Sequence, residues 1–298
     1  MKKLIPFLFL FIATSITYSQ FNKPVLQFGI GLVEPFDDLK GNYLGTQFYT
    51  FNGVTYQLSA PDTGLFSSNY GAKTGLYFYG KGKINFDKYN IFRAVASLSF
   101  STFNVFEPTK SGNIGVRINN DSTIIPSTAN YNYSFNVFSV GIGLEIAPFA
   151  FTNVFSPFFG GMMTFNSMST KLSRTENFND SVTFNSSAFR IGFTLDAGIE
   201  AKFSKMIGMV LGIKYDLGNV LLKNTSGGIA DRYAWGNTNA PFNDDGGYYY
   251  SAIQSPLDPP SYYGLVNGKK KNINWGTIYL GVNIYFDTDK KSNQPPKK

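Results

Sequence analysis

Residues 189–200 read Phe189-Arg190-Ile191-Gly192-Phe193-Thr194-Leu195-Asp196-Ala197-Gly198-Ile199-Glu200. Every odd position is apolar and every even one is Gly, Thr or charged. Successive side chains on a strand point to opposite faces, so a period of two marks a strand whose faces differ chemically. The same pattern returns at 138–146, where Phe138, Val140, Ile142, Leu144 and Ile146 oppose Ser139, Gly141, Gly143 and Glu145. It returns again near the C-terminus, with Ile278, Leu280, Val282, Ile284 and Phe286 against Thr277, Tyr279, Gly281, Asn283 and Tyr285. Working outward, eight segments alternate in this way: 25–32, 73–86, 90–103, 133–147, 155–166, 188–203, 208–217 and 273–286. None has the i, i+3, i+4 spacing of an amphipathic helix, so the chain reads as all-β. In the fifth segment Phe158 and Met162 interrupt the alternation.

Two architectures accommodate such strands. A soluble sandwich buries the greasy face, whereas a transmembrane barrel turns it to lipid and keeps the small and polar face for a lumen. Glycine has little reason to face solvent on a strand. A narrow lumen does need small residues beside large ones. The connections favour the barrel too. The links at 86–90 (FDKYN), 148–154 and 204–207 are short, and they alternate without exception with long links at 33–72, 104–132, 167–187 and 218–272. Outer-membrane barrels join their strands by short periplasmic turns and long extracellular loops. The expected fold is an eight-stranded, antiparallel, up-and-down transmembrane β-barrel. Aromatics near the strand ends (Phe86, Tyr89, Phe92, Phe100, Phe103, Tyr133, Phe149, Phe151, Phe155) suit interfacial girdles. A faint alternation at 43–58, with Phe48, Thr50 and Val54, leaves room for a further strand pair that would widen the barrel.

Residues 1–20 read MKKLIPFLFLFIATSITYSQ: a basic start (Lys2, Lys3), an apolar core from Leu4 to Ile16, and small Thr17 and Ser19 before Gln20. That is the form of a signal peptide cleaved after Ser19, and no Cys follows to carry a lipid. The domains are then 1–19 signal peptide, 20–286 barrel and 287–298 a polar, disordered periplasmic tail. Losing Lys2 and Lys3 takes the formal charge from +7 to +5, which is weak attraction for any anion and no sign of nucleic-acid binding.

The 298 residues contain no Cys and no His, which removes zinc sites of those ligands and His-based triads. General-base work near neutral pH falls most naturally to imidazole, so the chain reads as non-enzymatic, with no cofactor and no metal. The charges on the lumen faces are Lys81, Lys83, Arg93, Arg190 and Lys214 against Glu145, Asp196, Glu200 and Asp216. They read as an ion-selective constriction or, more in keeping with eight strands, as a salt-bridge network that closes the lumen.

The loops at 33–72 and 218–272 are the candidates for recognition, the alternative being Tyr- and Asn-rich loops that vary freely. The latter holds Trp235, Tyr248, Tyr249, Tyr250, Tyr262 and Tyr263 among Asn, Gly, Asp and Pro, a mixture of rigid aromatics and adaptable polar groups typical of binding surfaces. Asn243-Asp244-Asp245-Gly246 reads as a turn, since it lacks the ligand spacing of a calcium loop. Lys269-Lys270-Lys271, just before the last strand, is placed either to meet lipopolysaccharide phosphates or to stand in solvent.

In this layout, with its terminal strand ending on Phe286, the chain resembles the small eight-stranded outer-membrane barrels, the OmpA transmembrane-domain, OmpX and PorT-like group. The resemblance implies a cell outer membrane location. Through the PorT-like members it also implies a secretion or assembly accessory role. The partners expected are outer-membrane lipid, lipopolysaccharide and a protein or surface glycan. A small-solute channel is the alternative.

Overall fold

The alternating segments form eight long strands in the computed structural model: β1 (Asn22–Asp37), β2 (Ala72–Asn85), β3 (Phe92–Val105), β4 (Ile124–Ile146), β5 (Phe155–Glu176), β6 (Ser181–Lys202), β7 (Ile207–Leu221) and β8 (Ile273–Tyr285). The structure describes residues 22–40, 46–51, 54–59, 70–87, 89–105, 113–118, 124–150, 154–176, 181–224, 236–239, 242, 244–246, 248–252, 263–267 and 270–286. The expected signal segment and C-terminal tail lie outside these residues. Each strand pairs antiparallel with its neighbours in chain order, and β8 pairs with β1 from Val25↔Tyr285 to Asp37↔Ile273. The eight-stranded wall therefore closes on itself.

The short turns define the inner end of the barrel. Between β2 and β3 the Asp87 carboxylate accepts the backbone N–H of Tyr89 (3.0 Å) and of Phe92 (2.8 Å), and Asn90 takes a left-handed conformation (φ 56°) that Asn tolerates. Between β6 and β7 the Ser204 hydroxyl accepts the N–H groups of Met206 and Ile207 (3.2 and 2.9 Å). Between β4 and β5 the chain tucks Ala147 and Ala150 under the lumen. The Asp87 and Ser204 side chains saturate backbone donors in tight reversals, which is why those two links stay short.

The outer end is uneven. A strand of about 9–11 residues crosses a bilayer, yet β4 has 23 residues and β5 and β6 have 22 each, against 13 in β8. The surplus stands beyond the barrel rim as an apron. Asn113–Ile118 adds antiparallel to the start of β4, and Gly236–Asn239 adds parallel to β6 at Val182–Asn185. The expected strands ended at 166 and began at 133 and 188, because beyond those points both faces turn polar and the greasy alternation fades. Backbone pairing continues where the hydrophobic signal has stopped.

The 43–58 segment does form strands, Thr46–Phe51 paired with Val54–Ser59, but as a separate two-stranded sheet. The barrel keeps eight strands.

Candidate functional site

The lumen is built from the side of each strand that carries Gly, hydroxyl, Tyr and charge. At its inner end Arg93 on β3 stands opposite Glu145 on β4 in the strand register, and their Nη1–Oε1 distance is 2.8 Å. Glu200 reaches in from β6, accepting Arg93 Nη1 (2.8 Å) and Nη2 (3.1 Å) and Lys83 Nζ (2.9 Å). Lys83 also pairs with Glu145 at 2.9 Å. Two cations and two carboxylates thus share one buried layer, with the Tyr285 hydroxyl donating to Glu200 at 3.3 Å and the Lys83 ammonium over the Phe158 ring at 4.6 Å.

Above it, Lys81 pairs with Asp196, which also accepts the Tyr279 hydroxyl at 2.7 Å. Tyr79 stacks on Tyr77 and meets Tyr279 edge-on. Glycines clear the space these rings fill. A Cβ on Gly212 would run into the Tyr279 ring, and one on Gly218 into the indole of Trp275. Higher still, Lys214 pairs with Asp216 at 3.1 Å and lies 4.3 Å over the Tyr77 ring, while Thr194 donates to Asp216 at 2.5 Å. Phe158 and Met162, which interrupt the alternation of β5, are buried in the lumen as filler, while Phe159 and Met163 face out. Phe103 belongs to the lumen as well, not to a girdle. It is 2% exposed, edge-on to Phe135 and Trp275, because its position has the inward parity of Arg93 and Ser101.

The exterior is the inverse. Ile30, Leu32, Leu144, Leu211, Ile213 and Ile278 are each more than half exposed. Ions packed inside and aliphatics displayed outside, on a sheet whose strands pair all the way round, fit hydrocarbon surroundings and no aqueous ones. The chain is a membrane-spanning β-barrel. Phe36 and Tyr215, with centroids 5.9 Å apart, sit near its outer boundary, and Phe86, Tyr89, Phe92, Phe155 and Phe203 lie exposed at its inner end.

The outer mouth is closed by a loop, not by the wall. Arg190 has no carboxylate opposite it on the neighbouring strands. Its partner is Asp244, which accepts Arg190 Nε and Nη2 at 2.8 Å each, Asn219 Nδ2 at 2.9 Å and the N–H of Asn224 at 3.1 Å. A carboxylate saturated by N–H donors is not one offered to a cation. Phe242 stacks on Tyr70 (4.9 Å) near Phe135, and its carbonyl accepts the Tyr70 hydroxyl at 2.8 Å. The backbone N–H of Lys271 donates to the Asp244 carbonyl (3.1 Å), tying the segment to the chain entering β8. Asp244 and Phe242 were not legible as lumen residues. The one trace in the sequence is the surplus of lumen cations over lumen acids, which asks for an acid from elsewhere.

The described residues include some of the aromatic loop residues and not others. Trp235 and Tyr262 lie outside the described residues. Tyr248, Tyr249 and Tyr250 lie on a strand (Tyr248–Ala252) that pairs antiparallel with Tyr263–Asn267, so Tyr263 stands in the same ribbon. Of the three lysines before β8, Lys271 is buried and Lys270 is exposed, while Lys269 is outside the described residues.

No protein-family model matches the chain, and no curated protein does. Among solved structures it is similar to Neisserial surface protein A, at 9% identity and a TM-score of 0.39 over 88% of this chain and 97% of that one. It is similar to Ail, the attachment invasion locus protein of Yersinia pestis, at 11% and 0.40 over 90% and 100%. The outer membrane protein OprG of Pseudomonas aeruginosa matches at 8% and 0.40 over 90% and 98%.

Proposed function

We propose that this protein is a closed, non-enzymatic outer-membrane barrel that serves as a structural or interaction component, presenting its outer apron and loops to a protein or surface-glycan partner. The observation that carries the reading is the fate of the lumen charges: Lys81, Lys83, Arg93, Arg190 and Lys214 are each ion-paired with an acid. A constriction that selects ions needs charges turned to a water path, and these are turned to one another. The sequence without His supplies no imidazole base for chemistry. Among the described residues the apron of β4, β5 and β6 and the Tyr248–Ala252 ribbon offer outer surfaces for recognition, and the resemblance to PorT-like barrels makes a secretion or assembly accessory the role to examine first.

The test is planar-bilayer conductance of the purified full chain. The expected record is flat at moderate voltage. A steady, reproducible open level would overturn the closed-scaffold reading in favour of a small-solute channel.

A further inference from the structure

At the outer rim β7 breaks its own rule. Up to Leu217 its residues alternate, but the pairing with β6 then slips between Leu217 and Leu221. Val220, Leu221 and Leu222 follow as three consecutive exposed apolar residues. Leu222 adopts φ 66°, a left-handed conformation that a bulky residue holds only when its surroundings require it. Bulges at barrel rims re-aim side chains, and this one makes an apolar lip where an alternating strand would have turned every second residue inward.

The lip borders an open cavity of about 570 Å³. Lys223 and Lys270 line it, with Asp245 as the acid on its wall. Lys223 is oriented: its ammonium donates to the Lys271 carbonyl (2.6 Å) and to Asn272 Oδ1 (2.9 Å), which leaves a third N–H. Of the other acids near this rim, Asp38 accepts the Asn272 N–H (2.8 Å), Asp37 accepts Asn274 Nδ2 (2.5 Å), and Asp244 is taken up by Arg190. Partial burial lowers the pKa of Lys223, opposed by Asp244, and the Lys270 charge beside it lowers it further. An anion between the two ammonium groups would relieve that repulsion.

We propose that this rim binds the phosphorylated headgroup of an outer-leaflet glycolipid, with Lys223 and Lys270 holding a phosphate and the Val220–Leu222 lip lying along the acyl chains. Apolar and cationic groups adjoin at the boundary where hydrocarbon gives way to headgroups, and a lipid phosphate presents the complementary pair. This inference goes beyond the closed-scaffold reading and does not depend on it.

The experiment is a binding titration of the full chain, folded in mild detergent, with three probes: bis-phosphorylated lipid A, the same lipid without its phosphates, and inorganic phosphate. Phosphorylated lipid A is expected to bind. Removing its phosphates, or making the Lys223→Gln/Lys270→Gln variant, should each weaken binding roughly thirtyfold. Gln at 223 keeps a donor for the Lys271 carbonyl, and a heat-dependent gel shift verifies that the variant is folded. Val220→Ser/Leu222→Ser should weaken the phosphorylated lipid while the lysines remain. Equal affinity for the dephosphorylated lipid, or an unchanged double-lysine variant, would overturn the proposal. Full competition by inorganic phosphate would also overturn it, by making this a free-phosphate site.

Discussion

The two ends of the lumen are closed by different means. At the inner end every member of the ionic layer (Lys83, Arg93, Glu145, Glu200) sits on a barrel strand, and strand register places it. At the outer mouth the strands supply Arg190, Asn219 and Phe135, and the complementary Asp244 arrives on a loop together with Phe242. A wall-built closure cannot relax without breaking the sheet. A loop-built closure is held by side-chain and backbone contacts outside the barrel's own hydrogen-bond ladder. Strands therefore fix, and loops latch.

That contrast is open to attack at both ends. The largest effect is expected from Glu200→Ala, which leaves Lys83 and Arg93 sharing Glu145 alone in a dry layer. Stranding a buried charge costs about 3–5 kcal/mol, to be read as a lower midpoint of denaturant unfolding from lipid vesicles. If the midpoint does not move, the inner layer is not a fixed closure. Next comes Gly212→Val, whose side chain would occupy the space of the Tyr279 ring and should cost about 1–3 kcal/mol by overpacking. The same unfolding measurement reads it, and Gly82→Val, where only a Leu26 methyl lies near, is the tolerated control.

A smaller global effect is expected from Asp244→Ala, because Arg190 at the mouth can regain water. The change should instead be local. In a Trp235→Phe background the emission of Trp275, 1% exposed in the native lumen, should shift to the red and become quenchable by acrylamide. An unfolding midpoint lowered as far as that of Glu200→Ala would make the loop as structural as the wall. The least effect belongs to Asp87 in the inner turn. Burial pushes its carboxyl up slightly, but the N–H groups of Ile91, Phe92 and Tyr89 outweigh this and hold it below the ordinary value. A lowered folded-state pKa contributes stability above the unfolded pKa, and the contribution is lost as pH falls through the folded one. Asp87→Ala should therefore be slightly less stable than the parent at neutral pH and converge with it in acid. A difference that persists in acid would show that the carboxylate is not the cause.

The barrel was legible because its signal is local: parity along 189–200 assigns Ile191 to lipid and Asp196 to the lumen, and the short FDKYN link carries its own Asp87 cap. Parity also placed Lys81, Lys83, Arg93, Glu145, Asp196, Glu200, Lys214 and Asp216 inside, although not who pairs with whom. Nearness to a strand end does not by itself make an aromatic a girdle residue: the inward parity of Phe103 puts it in the lumen. The apron was shortened, since Lys171 and Ser173 on β5 show no greasy face by which to count them as strand.

By itself, then, the sequence determined the strand number, the inside–outside assignment of side chains and the chemistry of each face, because these depend on a two-residue period and on short turns. Only the tertiary structure decided that Glu200 from β6 meets Arg93 from β3, that Asp244 answers Arg190, and that Lys271 of the basic run turns inward while Lys270 stays outside. Those pairings join residues separated by 107 and 54 positions. Their partners are chosen by barrel closure and by where a long loop comes to rest, and neither leaves a periodic mark on the chain.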